Sequence, residues 1–161
     1  MLKIAVLMDD IGSIKPYKDT TFALMLSAQA RGHEVMVFEQ KDWRVVDGCV
    51  EAMVSVVALV DREKDYYEVL ERRLMDLSTV DVVLQRKDPP FNLRYIYDTY
   101  MLDLLVAKGV RVVNPPQALR NMNEKFAIAS VAQCTPETLI TKSREDIRAF
   151  VARLGRRWLS R

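Results

Sequence analysis

Glycine and histidine are scarce in this sequence, and each shortage removes a class of function. The five glycines, at 12, 32, 48, 109 and 155, are too scattered to form GxGxxG or GxxxxGK[ST], so no phosphate-cradling loop can be read from them. The single histidine, His33, follows Gly32 directly and reads as a residue at a strand entry. Metal or triad chemistry built on histidine is thereby excluded. Cys49 and Cys134 lie far apart with no CxxC partner, and the expectation is two reduced thiols in a cytoplasmic protein. No stretch approaches the roughly 18 apolar residues of a membrane span. The apolar run in "MLKIAVLMDD" is too short for a signal peptide and ends on two aspartates. The two Trp and six Tyr are not interleaved with basic residues, so there is no stacking platform for nucleic acid.

What is present is enough for a core. Half of the 161 residues are hydrophobic and 29% are charged, which suits one domain, or a domain with a fragment of another. The net charge of +2 hides an asymmetry. Residues 142–161 carry seven Lys/Arg against two Asp/Glu, leaving 17 basic and 20 acidic groups elsewhere, a net of −3. A mildly acidic body argues against a nucleic-acid partner.

The apolar pattern alternates between strands and helices. "KIAVLM" (3–8) reads as a buried strand, followed by a loop and the helix "TTFALMLSAQARG" with Asp19 or Thr20 as cap and Phe22, Met25, Leu26 and Ala30 as its stripe. Gly32 suits the left-handed position after that helix, and "HEVMVFE" is the next strand. The same grammar recurs in the helix "LRYIYDTYMLDLLVAK", Gly109 and the strand "VRVVN", with Tyr95, Ile96, Tyr100, Leu104 and Leu105 as the apolar positions. Between these units, "DWRVVDGCVEAMVSVVALV" predicts two strands joined at Asp47-Gly48, and "DYYEVLERRLMDL" (65–77) predicts a helix. Beyond residue 114 the pattern predicts a helix in "NEKFAIASVA", a short extended piece in "PETLITK", and a helix capped by Ser143. The fold class is α/β, a Rossmann-like parallel sheet with flanking helices over about residues 1–114, then a short helical region.

Ligands of open parallel sheets bind beyond the carboxyl ends of the strands. The stretch "VDVVLQRKDPPFN" sends Arg86, Lys87 and Asp88 off such an end and stiffens the loop with Pro89 and Pro90. An arginine there can hold a carboxylate through two hydrogen bonds, and an aspartate can receive an amine. Asp9 and Asp10 end the first strand. They would suit Mg²⁺ in a phosphate-accepting receiver domain, but the other residues of that pattern are missing, and capping a turn is their commoner role.

Four blocks carry a resemblance: "MDDIGSIKPYKDTTFALMLSAQARGHEV", "RKDPPFNLRYIYDTYMLD", "VVNPPQALRNMNEKFAIA" and "TPETLIT". Together they resemble bacterial glutathione synthetase over about residues 1–150. The resemblance implies a pre-ATP-grasp substrate-binding domain at 1–122 and the beginning of an ATP-grasp domain at 123–161. The family uses ATP and Mg²⁺ to convert the cysteinyl carboxylate of γ-glutamylcysteine to an acyl phosphate, which the amine of glycine then attacks. Carried over by position, Arg86, Lys87 and Asp88 resemble a substrate-facing loop, with Ser13 and Lys18 in the first strand-end loop. Lys125, in "NMNEK", resembles a lysine that reaches nucleotide phosphates.

The ending "RRWLSR" departs from the family, which continues into a strand with a nucleotide-binding lysine, a Gly-rich loop and the Mg²⁺-holding residues. The expectation is therefore a truncated synthetase, inactive alone and binding no cofactor tightly, whether through frameshift, gene splitting or a shortened product. The alternatives are a non-catalytic γ-glutamylcysteine or glutathione-binding module, or one subunit of a split synthetase. An apolar face left uncovered makes homo-oligomer formation a further expectation.

Overall fold

The computed structural model describes residues 1–87, 90–123 and 125–155. They fall into two compact units, Met1–Arg120 and a smaller one from Asn121 onward.

The first unit is a sheet with a helix on each face. In chain order its elements are β1 (Lys3–Leu7), α1 (Thr20–Ala30), β2 (Glu34–Phe38), β3 (Trp43–Val46), β4 (Cys49–Leu59), β5 (Tyr67–Asp76), β6 (Val82–Gln85), α2 (Leu93–Ala107), β7 (Arg111–Val113) and α3 (Pro116–Asn121). The strands run β3-β4-β2-β1-β6-β7, with β5 on the other edge of β4. β2, β1, β6 and β7 are mutually parallel, whereas β3 and β5 pair antiparallel to β4.

Both helix–glycine–strand units form as their sequences dictate. Asp19 caps α1 by accepting from the Phe22 N–H at 2.7 Å, and Asn92 caps α2 by accepting from the Tyr95 N–H at 3.1 Å. Each helix ends in the same two-bond motif. Gly32 N–H donates to Gln29 O at 2.9 Å and His33 N–H to Ala28 O at 3.2 Å; Gly109 N–H donates to Val106 O at 2.9 Å and Val110 N–H to Leu105 O at 3.1 Å. That motif needs a left-handed residue, and the glycines take φ of 76° and 89°. The predicted turn at Asp47-Gly48 is a hairpin turn, with both φ positive at 48° and 74°.

Alternation along β1 divides the core. Ala5 and Leu7 face one side with Met36, Phe38, Trp43, Leu102 and Leu105, while Ile4 and Val6 face the other with Phe22, Met25, Val35 and Val37. α2 covers the first side and α1 the second.

Two expectations are corrected. Residues 67–76 form strand β5, not a helix, because β4 offers them a ladder running from Leu59↔Tyr67 to Glu51↔Asp76. The buried face of α2 is Asp98, Thr99, Leu102 and Leu105; Tyr100 and Leu104 are exposed. Two polar residues enter that face because hydrogen-bond partners await them. In the second unit the helix expected in "NEKFAIASVA" is a 3-10 helix, Ala127–Cys134, kinked at Val131. α4 (Arg144–Leu154) comes next, with Ser143 accepting from the Asp146 N–H as the sequence predicts. Among the described residues no helix is long and apolar enough to cross a membrane.

Candidate functional site

The parallel strands branch in opposite directions from β1: α1 leads to β2 on one side, and α2 leads from β6 to β7 on the other. The crevice between the carboxyl ends of β1 and β6 is the switch point at which such sheets bind ligands. Two stretches meet there, residues 8–19 after β1 and the start of the second loop, Arg86 and Lys87, after β6.

The first loop is built on two short 3-10 turns, Ile11–Ser13 and Pro16–Lys18. Asp10 caps the first of these, its Oδ1 accepting from the Gly12 N–H at 3.0 Å, the turn-capping role expected of an aspartate at this strand end. The Ser13 hydroxyl donates to Asp10 O at 2.7 Å, and Ser13 and Lys18 both stand exposed. Tyr66, at the entrance to β5, anchors the loop from beneath by donating its hydroxyl to Ile11 O at 2.7 Å. Burial pushes the Tyr66 phenol above its ordinary pKa.

The second loop starts as an extension of the sheet, with the Arg86 N–H donating to Leu7 O at 2.8 Å. Arg86 Nε then donates to the buried Thr21 hydroxyl at 3.0 Å, which aims the guanidinium across the start of α1. Lys87 Nζ sits 3.0 Å from Asp9 Oδ1, and 14% of its side chain is exposed. The structure thus joins Arg86 and Lys87 to the end of β1 and the beginning of α1. Asp88 lies outside the described residues. Lys125 belongs to the second unit, exposed, with its N–H donating to Asn123 Oδ1 at 3.0 Å.

A layer of polar groups under the second loop was not legible in the sequence. Gln85, the last residue of β6, is buried; its Oε1 accepts from the Lys87 N–H at 2.8 Å, and its Nε2 has no partner among the described residues. Asp98, on the buried face of α2, accepts a hydrogen bond from Gln40 Nε2 and another from the Trp43 side chain. Burial pushes the Asp98 carboxyl above its ordinary range, against those donors and the charges of Arg94 and Lys87. Further along α2, Arg120 Nη1 donates to Thr99 Oγ1 at 3.0 Å and Asp103 Oδ2 at 2.7 Å, with its guanidinium over the Tyr100 ring. Apart from the local Gln85–Lys87 bond, the hydrogen-bond partners in this layer are 17 to 58 residues apart, so local pattern carried no signal of them.

A cavity of about 210 Å³ opens beside the first loop, between the carboxyl ends of β1 and β2 and the curled part of β4 and β5. Val37, Phe38 and Val69 give it apolar walls, and Asp9, Asp10, Glu39 and Asp42 against Lys41 and Arg72 leave its charged lining mainly acidic. In the second unit a larger cavity of about 520 Å³ is walled mainly by Phe126, Ile128, Ala129, Ala132 and Ile140. Among the described residues no three His, Cys, Asp or Glu side chains gather as a metal site.

Comparison with known proteins gives this arrangement a context. Residues 2–120, nearly the whole first unit, match the family described as prokaryotic glutathione synthetase, N-terminal domain. The chain is 42% identical over 150 residues to the glutathione synthetase of Vibrio parahaemolyticus, covering 93% of this chain and 48% of that protein. It is 38% identical over 155 residues to the glutathione synthetase of Salmonella typhimurium, covering 96% and 49%. The chain therefore spans about half the length of the curated relatives it matches. Among solved structures, the ATP-grasp ligase PsnB, complexed with precursor peptide PsnA2 and AMPPNP, superposes with a TM-score of 0.50 at 21% identity, covering 95% of this chain and 51% of that one. PsnB with a minimal precursor gives 0.51 at 20% identity, covering 96% and 51%. At that identity the likeness concerns the fold.

Proposed function

We propose, from the premise that this chain belongs to the prokaryotic glutathione synthetase family through its N-terminal domain, that it is the substrate-binding half of a ligase joining γ-glutamylcysteine to glycine. The observation that carries this reading is the strand-end pair Arg86 and Lys87, held at the switch point by Thr21 and Asp9.

The chemistry comes from the charges. A carboxylate about to be phosphorylated must be desolvated and fixed, and an arginine whose Nε is already anchored presents its two Nη groups in a set plane. Arg86 is so anchored, and we assign it to the substrate carboxylate. Lys87 tethers the loop to Asp9 and adds positive charge beside that carboxylate. Asp88 takes a place in the same loop, Lys18 adds charge at the outer edge of the crevice, and Ser13 holds the first turn closed. We take residues 1–122 as the substrate-binding domain and 123–161 as the start of the ATP-grasp region, where Lys125 faces nucleotide phosphate.

Relatives of this kind imply ATP and Mg²⁺ in the intact family. The described residues do not by themselves fit those groups: they hold no three-membered acidic or imidazole cluster, and the chain's glycines make no phosphate loop. We therefore place the metal and the bulk of the nucleotide site in the half of the longer relatives that this chain does not match, with Lys125 at its edge. The reading is tested by titrating γ-glutamylcysteine into isotope-labelled protein. Backbone signals of the 8–19 loop and of Arg86 and Lys87 should shift and saturate; shifts confined to other elements would contradict it.

A further inference from the structure

We infer that α4 docks on an anionic phospholipid surface, laying its apolar face into the interface while the arginines beside it meet the headgroup phosphates. Neither the strand-end pair nor either cavity takes part, so this surface stands apart from the reading above.

The helix has the build of an interfacial segment. Ile147, Phe150, Val151 and Leu154 recur at i, i+3, i+4 and i+7, which puts all four on one face. A globular domain buries such a face, yet no residue of α4 is buried; Ile147 is 47% exposed and Val151 52%. Basic residues flank the stripe. Arg144 and Arg148 lie four apart along one side, and Arg153 lies along the other. Long arginine side chains in those positions reach headgroups while the stripe between them enters the acyl boundary. The two acids, Glu145 and Asp146, are confined to the first turn, where the helix dipole favours them. Asp146 is also occupied there, accepting from the Thr141 hydroxyl at 3.0 Å. The 11 residues of α4 are too few to cross a bilayer, so the helix lies in the plane of the interface.

Charge identifies the partner. Arg144 and Arg148 are exposed like charges on one flank, and neither has an ion pair among the described residues. Their mutual repulsion is relieved by an anion laid against them. Arg153 is shared between Glu137, at 3.2 Å, and the Phe150 ring. The sequence after the helix continues in kind, with Arg156, Arg157 and Arg161 around Trp158 and Leu159. Residues 142–161 hold seven basic side chains against two acidic ones, whereas the rest of the chain is net negative. An apolar stripe with an excess of arginine suits the negative potential of an anionic leaflet, and tryptophan is favoured at membrane interfaces. Pairing α4 with its copy in a second chain would instead bring two positive surfaces together.

The test is co-sedimentation of the intact 161-residue chain with vesicles of phosphatidylglycerol and phosphatidylcholine, and with phosphatidylcholine alone, at low and high salt. The chain should bind the mixed vesicles, bind the neutral ones at least tenfold more weakly, and be released as salt screens the headgroups. Arg144→Gln with Arg148→Gln should weaken binding about tenfold or more, since each basic residue at such a surface is worth about fivefold. Ile147→Ser with Val151→Ser should weaken it by about the same factor through lost apolar burial. All four side chains are exposed, so circular dichroism should show both variants folded. Equal binding to the two kinds of vesicle, no binding to either, or a loss in only one of the two variants would overturn the inference. So would a dimer, seen by sedimentation equilibrium without lipid, that the Ile147→Ser/Val151→Ser variant dissociates, because the face would then belong to a second copy.

Discussion

At the scale of single residues, Asp98 is a buried carboxyl. It lies under the loop that carries Arg86 and Lys87, and burial raises its pKa despite hydrogen bonds from Gln40 and Trp43. A carboxyl with a raised folded-state pKa favours folding when protonated. That contribution is complete below the unfolded pKa and is lost as pH rises through the folded one. Asp98→Asn keeps an oxygen for both donors and cannot ionise. At neutral pH the variant should therefore be at least as stable as the wild type, and the wild type should gain on it as pH falls toward the carboxylate range. Asp76 titrates in the opposite sense, its carboxyl lowered chiefly by the Ser78 backbone N–H, but it is common to both proteins and cancels in the difference. Urea melts of the pair at several pH values measure this. A stability difference that does not move with pH would contradict the account.

At the scale of elements, the two helix–glycine–strand units were legible because each is specified within a few residues. Asp19, Asn92, Gly32 and Gly109 sit where caps and left-handed turns require them. Gly109→Ala should cost roughly 1 kcal/mol by forcing a side chain into φ > 0. A Cβ there meets nothing within 4 Å, so the effect isolates backbone strain; an unchanged urea midpoint would contradict it.

β5 was not legible for the converse reason. "YEVLERRLMD" is rich in Leu, Glu, Arg and Met, which favour helix locally, and only pairing along β4 makes it a strand. As an edge strand it also lacks the clean in–out alternation that marks half-buried strands; Glu68 through Arg72 are all exposed.

The site divides in the same way. Arg86 and Lys87 were readable because charges followed by prolines at a strand end are a local feature. Thr21 and Asp98 were not, since each matters through partners that only the folded sheet brings near. The α2 stripe was misplaced for a related reason: period alone cannot announce that Asp98 and Thr99 have buried partners.

At the scale of the molecule, the first compact unit and the family match end together at residue 120. Arg120 closes that unit internally, bound to Thr99 and Asp103 and stacked over Tyr100. A chain ending after Arg120 should keep its far-ultraviolet spectrum and melt within a few degrees of the full 161 residues. Loss of a cooperative transition would show that the first unit depends on residues 121–161 for its stability. This unit carries the strand-end pair, so it should also keep the ligand affinity of the full chain.

The central claim is that this chain binds γ-glutamylcysteine through the crevice between β1 and β6. The most direct test is calorimetry of that ligand against the wild type and Arg86→Gln, with circular dichroism confirming that both are folded. The account predicts saturable one-to-one binding that falls about tenfold or more in the variant, the effect of removing a charged hydrogen-bonding partner. Equal affinity in the two folded proteins, or no binding by either, would contradict it.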